Sequence, residues 1–260
     1  MTETRKLCLL GLVVLGVSGC AGTAARDADV LYQVSTIAAL LEGVYDGEVT
    51  IAALKTRGDV GLGTFGALDG EMVVLDGTVY QVTADGRARV APDDLTTPFA
   101  AVTPFESDLG ASLDGRIDLR ELQLALDLSL PSRNLIYAVK VTGEFAYVKV
   151  RSVPRQEKPY PKLAEVVKAQ PVFEHRDVRG TLVGLRMPAY AKGINVPGYH
   201  FHFLTEDRTE GGHVLECILT RGRADIDTTF ALEMALPRDK AFAGADLSGD
   251  RQGEVHAVEK

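Results

Sequence analysis

Three Asp-Gly pairs, Asp69-Gly70, Asp76-Gly77 and Asp85-Gly86, punctuate short apolar runs within residues 61–90. No other feature restricts the fold as much, because Asp and Gly both tolerate positive φ and the pair sets the tight turn of an antiparallel hairpin. The segment reads as a β-meander. Residues 135–150 repeat the pattern, with LIYAVKV and FAYVKV on either side of Thr142-Gly143, which predicts another hairpin. Residues 178–186, 199–204, 214–219 and 229–236 are strand-like as well. Helical signals are short. They comprise residues 35–41, with Ser35 as N-cap and Gly43 as stop, Ile51–Lys55, and residues 162–169 after Pro159-Tyr160-Pro161. No repeat with a period of roughly 20–50 residues is visible. The fold class is α+β, mostly β.

Composition narrows the function. With 46% hydrophobic and 25% charged residues the chain is an ordinary globular one, neither disordered nor collagen-like. A net charge of −8 argues against a broad electrostatic grip on nucleic acid. An anionic ligand must then be met by a local basic group.

Residues 1–20, MTETRKLCLLGLVVLGVSGC, place Arg5 and Lys6 ahead of an apolar run and small residues before Cys20. This is the layout of a secretory signal peptide, too short for a permanent transmembrane helix. Val17-Ser18-Gly19-Cys20 resembles a bacterial lipobox, which predicts cleavage after residue 19 and a lipid anchor on Cys20. Residues 20–29 then form a short tether, and the chain is exported to a membrane surface. Cys8 is discarded with the signal, and Cys217, inside an apolar run, reads as a small core residue without a disulfide partner.

Three of the five histidines, His200, His202 and His213, fall in one stretch, GYHFHFLTEDRTEGGH. On a strand, residues i and i+2 share a face, so His200 and His202 project together while Tyr199, Phe201 and Phe203 face apolar packing. The Gly211-Gly212 turn returns the chain so that His213 joins them from a partner strand. Three imidazoles with open positions suit a catalytic metal site. Zinc is the first choice, although iron, copper or nickel would accept the same donors. His175 and His256 read as surface residues, and the polar tail at residues 238–260 reads as a frayed end on composition.

Further motifs carry a family resemblance. Tyr32-Gln33-Val34-Ser35-Thr36, Leu40-Leu41-Glu42-Gly43-Val44-Tyr45-Asp46-Gly47, Gly61-Leu62-Gly63-Thr64-Phe65, Leu68-Asp69-Gly70-Glu71-Met72, residues 153–161 and residues 193–203 together resemble bacterial α-acetolactate decarboxylases. The likeness runs from about Leu31 to the C-terminus. It implies two β-rich subdomains, a mixed sheet and a barrel-like sheet, here taken as residues 30–150 and 151–260. It also implies a zinc enzyme that converts 2-acetolactate to acetoin and carbon dioxide through a metal-stabilised enediolate, possession of a small-molecule substrate site, and a homodimer. His200, His202 and His213 match the metal ligands of that family, and Glu71, Arg151, Thr64 and the tail residue Glu259 match its active-site positions. Arg151 suits a carboxylate, because its guanidinium is a planar, permanently charged fork. The proton that replaces carbon dioxide has three candidate sources: an Arg151-bound water, Arg151 itself or Glu71. Two other readings use the same histidines: a non-catalytic metal- or solute-binding lipoprotein, and a metal-hydroxide hydrolase. Glu71 and Arg151 together favour the decarboxylase, since metal storage needs no carboxylate-binding arginine.

Overall fold

The glycines of the three Asp-Gly pairs have φ of +89° at Gly70, +77° at Gly77 and +77° at Gly86; the last two sit in tight turns between antiparallel strands, and Gly70 ends a longer connection, residues 65–70, that contains a 3-10 turn. They belong to a computed structural model that describes residues 29–259. The signal peptide and lipid anchor expected at residues 1–20, and all but the last residue of the expected tether, lie outside the described residues.

From its N-terminal side the described chain forms β1 (Val30–Val34), α1 (Ile37–Leu41), β2 (Val49–Thr50), α2 (Ile51–Lys55), β3 (Val60–Thr64), β4 (Glu71–Leu75) and β5 (Thr78–Val82). Next come β6 (Ala88–Val90), β7 (Thr96–Thr97), β8 (Ala100–Thr103), β9 (Leu109–Asp118), α3 (Leu119–Ser129) and β10 (Ile136–Arg151). The remainder is α4 (Leu163–Val166), β11 (Val172–Met187), β12 (Gly198–Thr205), β13 (Gly211–Thr229), β14 (Ala231–Ala235), α5 (Lys240–Gly244) and α6 (Gln252–Val258).

The strands build a seven-stranded mixed sheet, β14-β1-β8-β3-β4-β5-β6, and a five-stranded antiparallel sheet, β10-β11-β12-β13-β9. Because β10 also pairs with β13, the second sheet closes on itself as a small barrel. Both the mixed sheet and the barrel-like sheet are as expected. The expected division between residues 150 and 151, however, does not separate the sheets. It falls inside β10; β9 and all but the last residue of β10 precede it yet lie in the second sheet, whereas β14 follows it and pairs in parallel with β1 in the first. Only Phe230 separates β13 from β14, so the chain passes from one sheet to the other in one residue.

Thr142-Gly143 is not a turn. β10 runs straight through it, and Gly143 lies opposite Gly180 of β11 and Gly222 of β13. A Cβ on Gly143 would sit 2.3 Å from the Arg221 carbonyl oxygen, so the glycine is there for close backbone approach. Helix α1 is capped by Thr36, whose Oγ1 accepts the Ala39 N–H at 3.2 Å, and not by Ser35. Ser35 has φ of 59° and instead closes the β1 pairing through its N–H to the Ala235 carbonyl. β9 and α3 had no counterpart in the sequence reading. Asp118 and Glu121 form a reciprocal capping box ahead of α3, with bonds of 2.8 and 3.0 Å.

Tyr137, Val139, Val141, Leu182, Phe201, Phe203, Leu219 and Ile226 fill the core enclosed by the second sheet, with Leu122 and Leu126 of α3 packed on it. Cys217 belongs to this core as expected, and burial pushes its thiol up to about 12. A second layer, Leu31, Leu62, Ala101, Ile136, Ala138, Leu185 and Met187, joins the two sheets. Each Leu, Ile or Met among them contributes about 1.5–3 kcal/mol when fully buried.

One carboxyl in the barrel wall works against stability. Asp227 is 1% exposed, and burial first, then the charges of Asp108 and Asp29, push its pKa up to about 7 against a hydrogen bond from the Glu106 main chain. Between the unfolded value near 4 and the folded value near 7 the native state holds a proton that the unfolded state has lost, so stability falls as pH rises through that window. Asp227→Asn is expected to remove this slope and to raise stability at pH 8 by roughly 2 kcal/mol. Chemical denaturation at pH 5 and pH 8 measures it; an unchanged slope would contradict the assignment.

Candidate active site

The alternation of β12 sorts its side chains. Phe201 and Phe203 point into the second core, so His200 and His202 point to the opposite face, toward the first sheet. His202 pairs across the ladder with His213, and His213 also pairs with Arg151 of β10. The barrel therefore closes at the point where these groups meet. The connection that returns the chain is residues 206–210, with Arg208 at φ of 63°, and not Gly211-Gly212. The two glycines begin β13, where a Cβ would lie 2.2 Å from the Phe203 carbonyl oxygen at Gly211 and 2.4 Å from that of Arg151 at Gly212. Side chains there would push apart the strands that carry the site.

The three imidazoles converge. His200 Nε2 is 3.2 Å from His202 Nε2 and 3.0 Å from His213 Nδ1. His202 donates its Nδ1 proton to the Met72 carbonyl oxygen at 2.8 Å, which leaves an acceptor lone pair on Nε2 facing the other rings. One proton on His200 Nε2 cannot serve both neighbours. A shared cation satisfies all three nitrogens, so the donor set fits a metal ion of the imidazole-preferring class. Burial holds His200 down at about 3, with Arg151 adding to the effect. His202 and His213 are also held well below the usual imidazole value, mainly by burial. All three are neutral at pH 7, the state in which imidazole ligates.

From the first sheet come Thr64 and Glu71, neighbours across the β3–β4 ladder. Thr64 Oγ1 donates to the Gly70 carbonyl oxygen at 2.7 Å and so fixes the turn that delivers Glu71. Glu71 Oε2 lies 3.6 Å from His202 Nε2, and its Oε1 lies 3.9 Å from Arg151 Nη1. Burial is the main cause that pushes Glu71 up to about 7; Arg151 opposes it and Glu259 adds to it. Arg151 donates to Gln170 Oε1 at 2.8 Å and to the Val258 carbonyl oxygen at 2.6 Å.

The tail completes the site. Val255 and Val258 of α6 are buried with Ile37, Leu40, Leu41, Phe99 and Val153, which overturns the frayed-end reading for the tail as far as Glu259. Glu259 Oε2 thereby reaches 3.6 Å from His200 Nε2 and 3.7 Å from His213 Nε2. Burial pushes Glu259 up to about 7 against the pull of Arg151. The result is a buried constellation of three neutral imidazoles, two carboxyls and one guanidinium. It can hold a metal ion, accept an anion on Arg151 and exchange protons near neutral pH.

Relatives identify this arrangement. The family model described as alpha-acetolactate decarboxylase matches residues 31–249. The chain belongs to the alpha-acetolactate decarboxylase family. It is 55% identical over 232 residues to the alpha-acetolactate decarboxylase of Methanosarcina mazei, covering 89% of this chain and 81% of that one. It is 46% identical over 229 residues to that of Methylococcus capsulatus, covering 88% of each. The crystal structure of alpha-acetolactate decarboxylase from Bacillus subtilis strain 168 superposes with a TM-score of 0.86 at 39% identity, covering 88% of this chain and 98% of that chain. As a member of this family the chain is an enzyme, a lyase.

The structure brings together every site residue named from the decarboxylase likeness: His200, His202, His213, Glu71, Arg151, Thr64 and Glu259. Of the other two histidines, His256 is exposed as expected, whereas His175 is half-buried, with Nδ1 3.5 Å from Glu210 and its ring against Phe203. Three contributors were missed: the Met72 carbonyl behind His202, Gln170 behind Arg151, and the Val258 carbonyl. Two are main-chain atoms, which leave no mark on residue type, and Gln170 stands 19 positions from its partner.

Proposed function

We propose that the chain converts 2-acetolactate to acetoin and carbon dioxide at a metal ion, zinc for preference, held by His200, His202 and His213. The observation that carries this reading is the pairing of a buried His₃ donor set with a buried arginine, because a 2-hydroxy-3-oxo acid offers chelating oxygens to one and a carboxylate to the other. When bound, the dication would stabilise the negative charge that decarboxylation leaves on the substrate oxygens, by several kcal/mol.

The chain's own groups perform the rest. Arg151 binds and orients the substrate carboxylate through its Nη atoms, replacing Val258 as their partner. The bond from that carboxylate to C2 breaks, carbon dioxide leaves, and the electron pair stays on the substrate. Glu71, at about 7, can carry a proton on a carboxylate oxygen at neutral pH and is the nearest titratable acid to Arg151, so it is the source assigned to the proton returned to carbon. Thr64 positions Glu71 by holding the preceding turn. The apolar wall of Ile37, Leu40, Phe99 and Val153 excludes water from the reacting centre.

Purified residues 29–260, loaded with zinc, are expected to form acetoin from racemic acetolactate in step with carbon dioxide release. Absence of acetoin from the loaded protein would reject the proposal. The order of basic, apolar and small residues before Cys20 supports export and lipid anchoring to a bacterial membrane. Under globomycin the lipoprotein precursor should accumulate, and an unchanged size and membrane fraction would remove that reading. A homodimer, suggested by family likeness, is read by light scattering.

A further inference from the structure

The segment that carries Glu259 is tied at two ends. Its inner end is the Val258 carbonyl, held by Arg151 Nη2 at 2.6 Å. Its outer end is Arg251, the residue that opens α6, whose Nη1 donates to Glu42 Oε1 just after α1. Arg251 Nη2 also donates to the Asp246 carbonyl oxygen at 2.9 Å. The two charged side chains are only 14% and 15% exposed, although 209 positions separate them. Lys162 shares Glu42, at 2.9 Å, and with Arg251 holds that carboxyl below its usual range, so the ion pair is charged at neutral pH.

The space around this segment gives the two ends different tasks. Beside the imidazoles lies a void of about 30 Å³, room for one or two waters. On the other face of α6 is a cleft of about 1030 Å³ bordered by Gln252, His256 and Glu259 of the tail and by Lys149 and Lys192. The tail is the wall between them. A five-carbon acid does not fit the void, and a carboxylate drawn to Arg151 would have to share that space with the Val258 carbonyl already on Nη2. The inner tie must therefore open in each turnover. The outer tie need not, and while it lasts the return of Glu259 is an intramolecular step over eight residues rather than the closure of the whole chain end.

We propose that Glu42 and Arg251 are positioning residues for the decarboxylation, an anchor on which residues 252–259 swing so that Glu259 leaves and regains the metal site. This rests on the reading above, in which the site admits a keto acid. Neither residue touches the reacting atoms. Both act through Glu259.

The test is a double-mutant cycle with hydrogen exchange on the full mature protein. Arg251→Gln is expected to lower kcat roughly tenfold, the scale of one charged hydrogen bond, without raising KM, because the tail that competes for Arg151 is loosened. Glu42→Gln should do the same and carries the test if Arg251→Gln misfolds. Lys162→Gln, which removes the exposed partner of Glu42 and leaves the tail tied, should stay within about twofold of the parent. In a Glu259→Gln background Arg251→Gln should cost nothing further. Amide exchange across residues 252–259 should quicken in Arg251→Gln while the barrel strands are unaffected. Losses that multiply in the double variant, an equal effect of Lys162→Gln, or unchanged tail exchange would overturn the anchor. A parent protein that makes no acetoin would instead reject the decarboxylase reading, and the exchange data would still decide whether the anchor exists.

Discussion

Replacing Arg151 with alanine is expected to leave metal content unchanged and to lower kcat/KM by roughly a thousandfold, the scale of losing a buried bidentate charge that orients a reacting carboxylate. The geometry separates the two properties. Arg151 approaches Gln170, Val258 and Glu71, and none of its hydrogen bonds is to an imidazole. The three nitrogens that converge on one point stay in place without it. Its removal has a second consequence, because Arg151 is the group that lowers both Glu71 and Glu259. Without it both carboxyls move further up, so Glu71 keeps its proton over a wider range and any activity left should persist to a higher pH. Arg151→Lys should recover only part of the rate, since an ammonium supplies charge but not the fork. Metal analysis beside steady-state kinetics measures this; a normal rate in Arg151→Ala would remove the carboxylate-binding role.

His202→Ala is expected to behave in the opposite way and to lose metal and turnover together. His202 contributes one of three nitrogens, and its other nitrogen ties β12 to β4 through the Met72 carbonyl. Deleting the ring removes a ligand and leaves a buried acceptor unpaired, a structural cost of about 1–3 kcal/mol. Metal affinity should fall by well over the 10–100-fold typical of losing only an outer partner of a ligand. His256→Ala, on the exposed face of α6, is the matched control and should retain metal and rate. If His202→Ala kept a full equivalent of metal, the donor set would be wrong.

How much of this could be read from the sequence depends on how local each cause is. Asp76-Gly77 and Asp85-Gly86 act over a few residues, and both turns form as read, whereas Asp69-Gly70 only ends a six-residue connection between β3 and β4. The alternation that puts His200 and His202 on one face is equally local, and it placed two of the three imidazoles from spacing alone. Gly143 was misread because a turn and a close approach of three strands ask for the same residue; only the positions of Gly180 and Gly222 tell them apart. α3 carried a readable signal in Asp118 and Glu121 that the sequence reading did not use. Glu71 and Arg151 look like surface charges from their neighbours, and they entered through the family likeness. Their burial arises where β4 and the barrel seam meet, which no single segment records. The tail is the clearest case: composition read it as frayed, yet Val255 and Val258 find their apolar partners on α1 and α4 and in neighbouring loops. The sheet division failed for the same reason, since β14 pairs with β1, the opposite end of the described chain.

The central claim is that one metal ion per chain, held by His200, His202 and His213, is required for decarboxylation. Stripping the purified protein with a chelator and titrating zinc back while acetoin formation is followed tests it most directly. The rate should fall to background in the stripped protein and rise linearly to a break at one equivalent. A stripped protein that keeps its rate, or a break that His202→Ala does not abolish, would contradict the account.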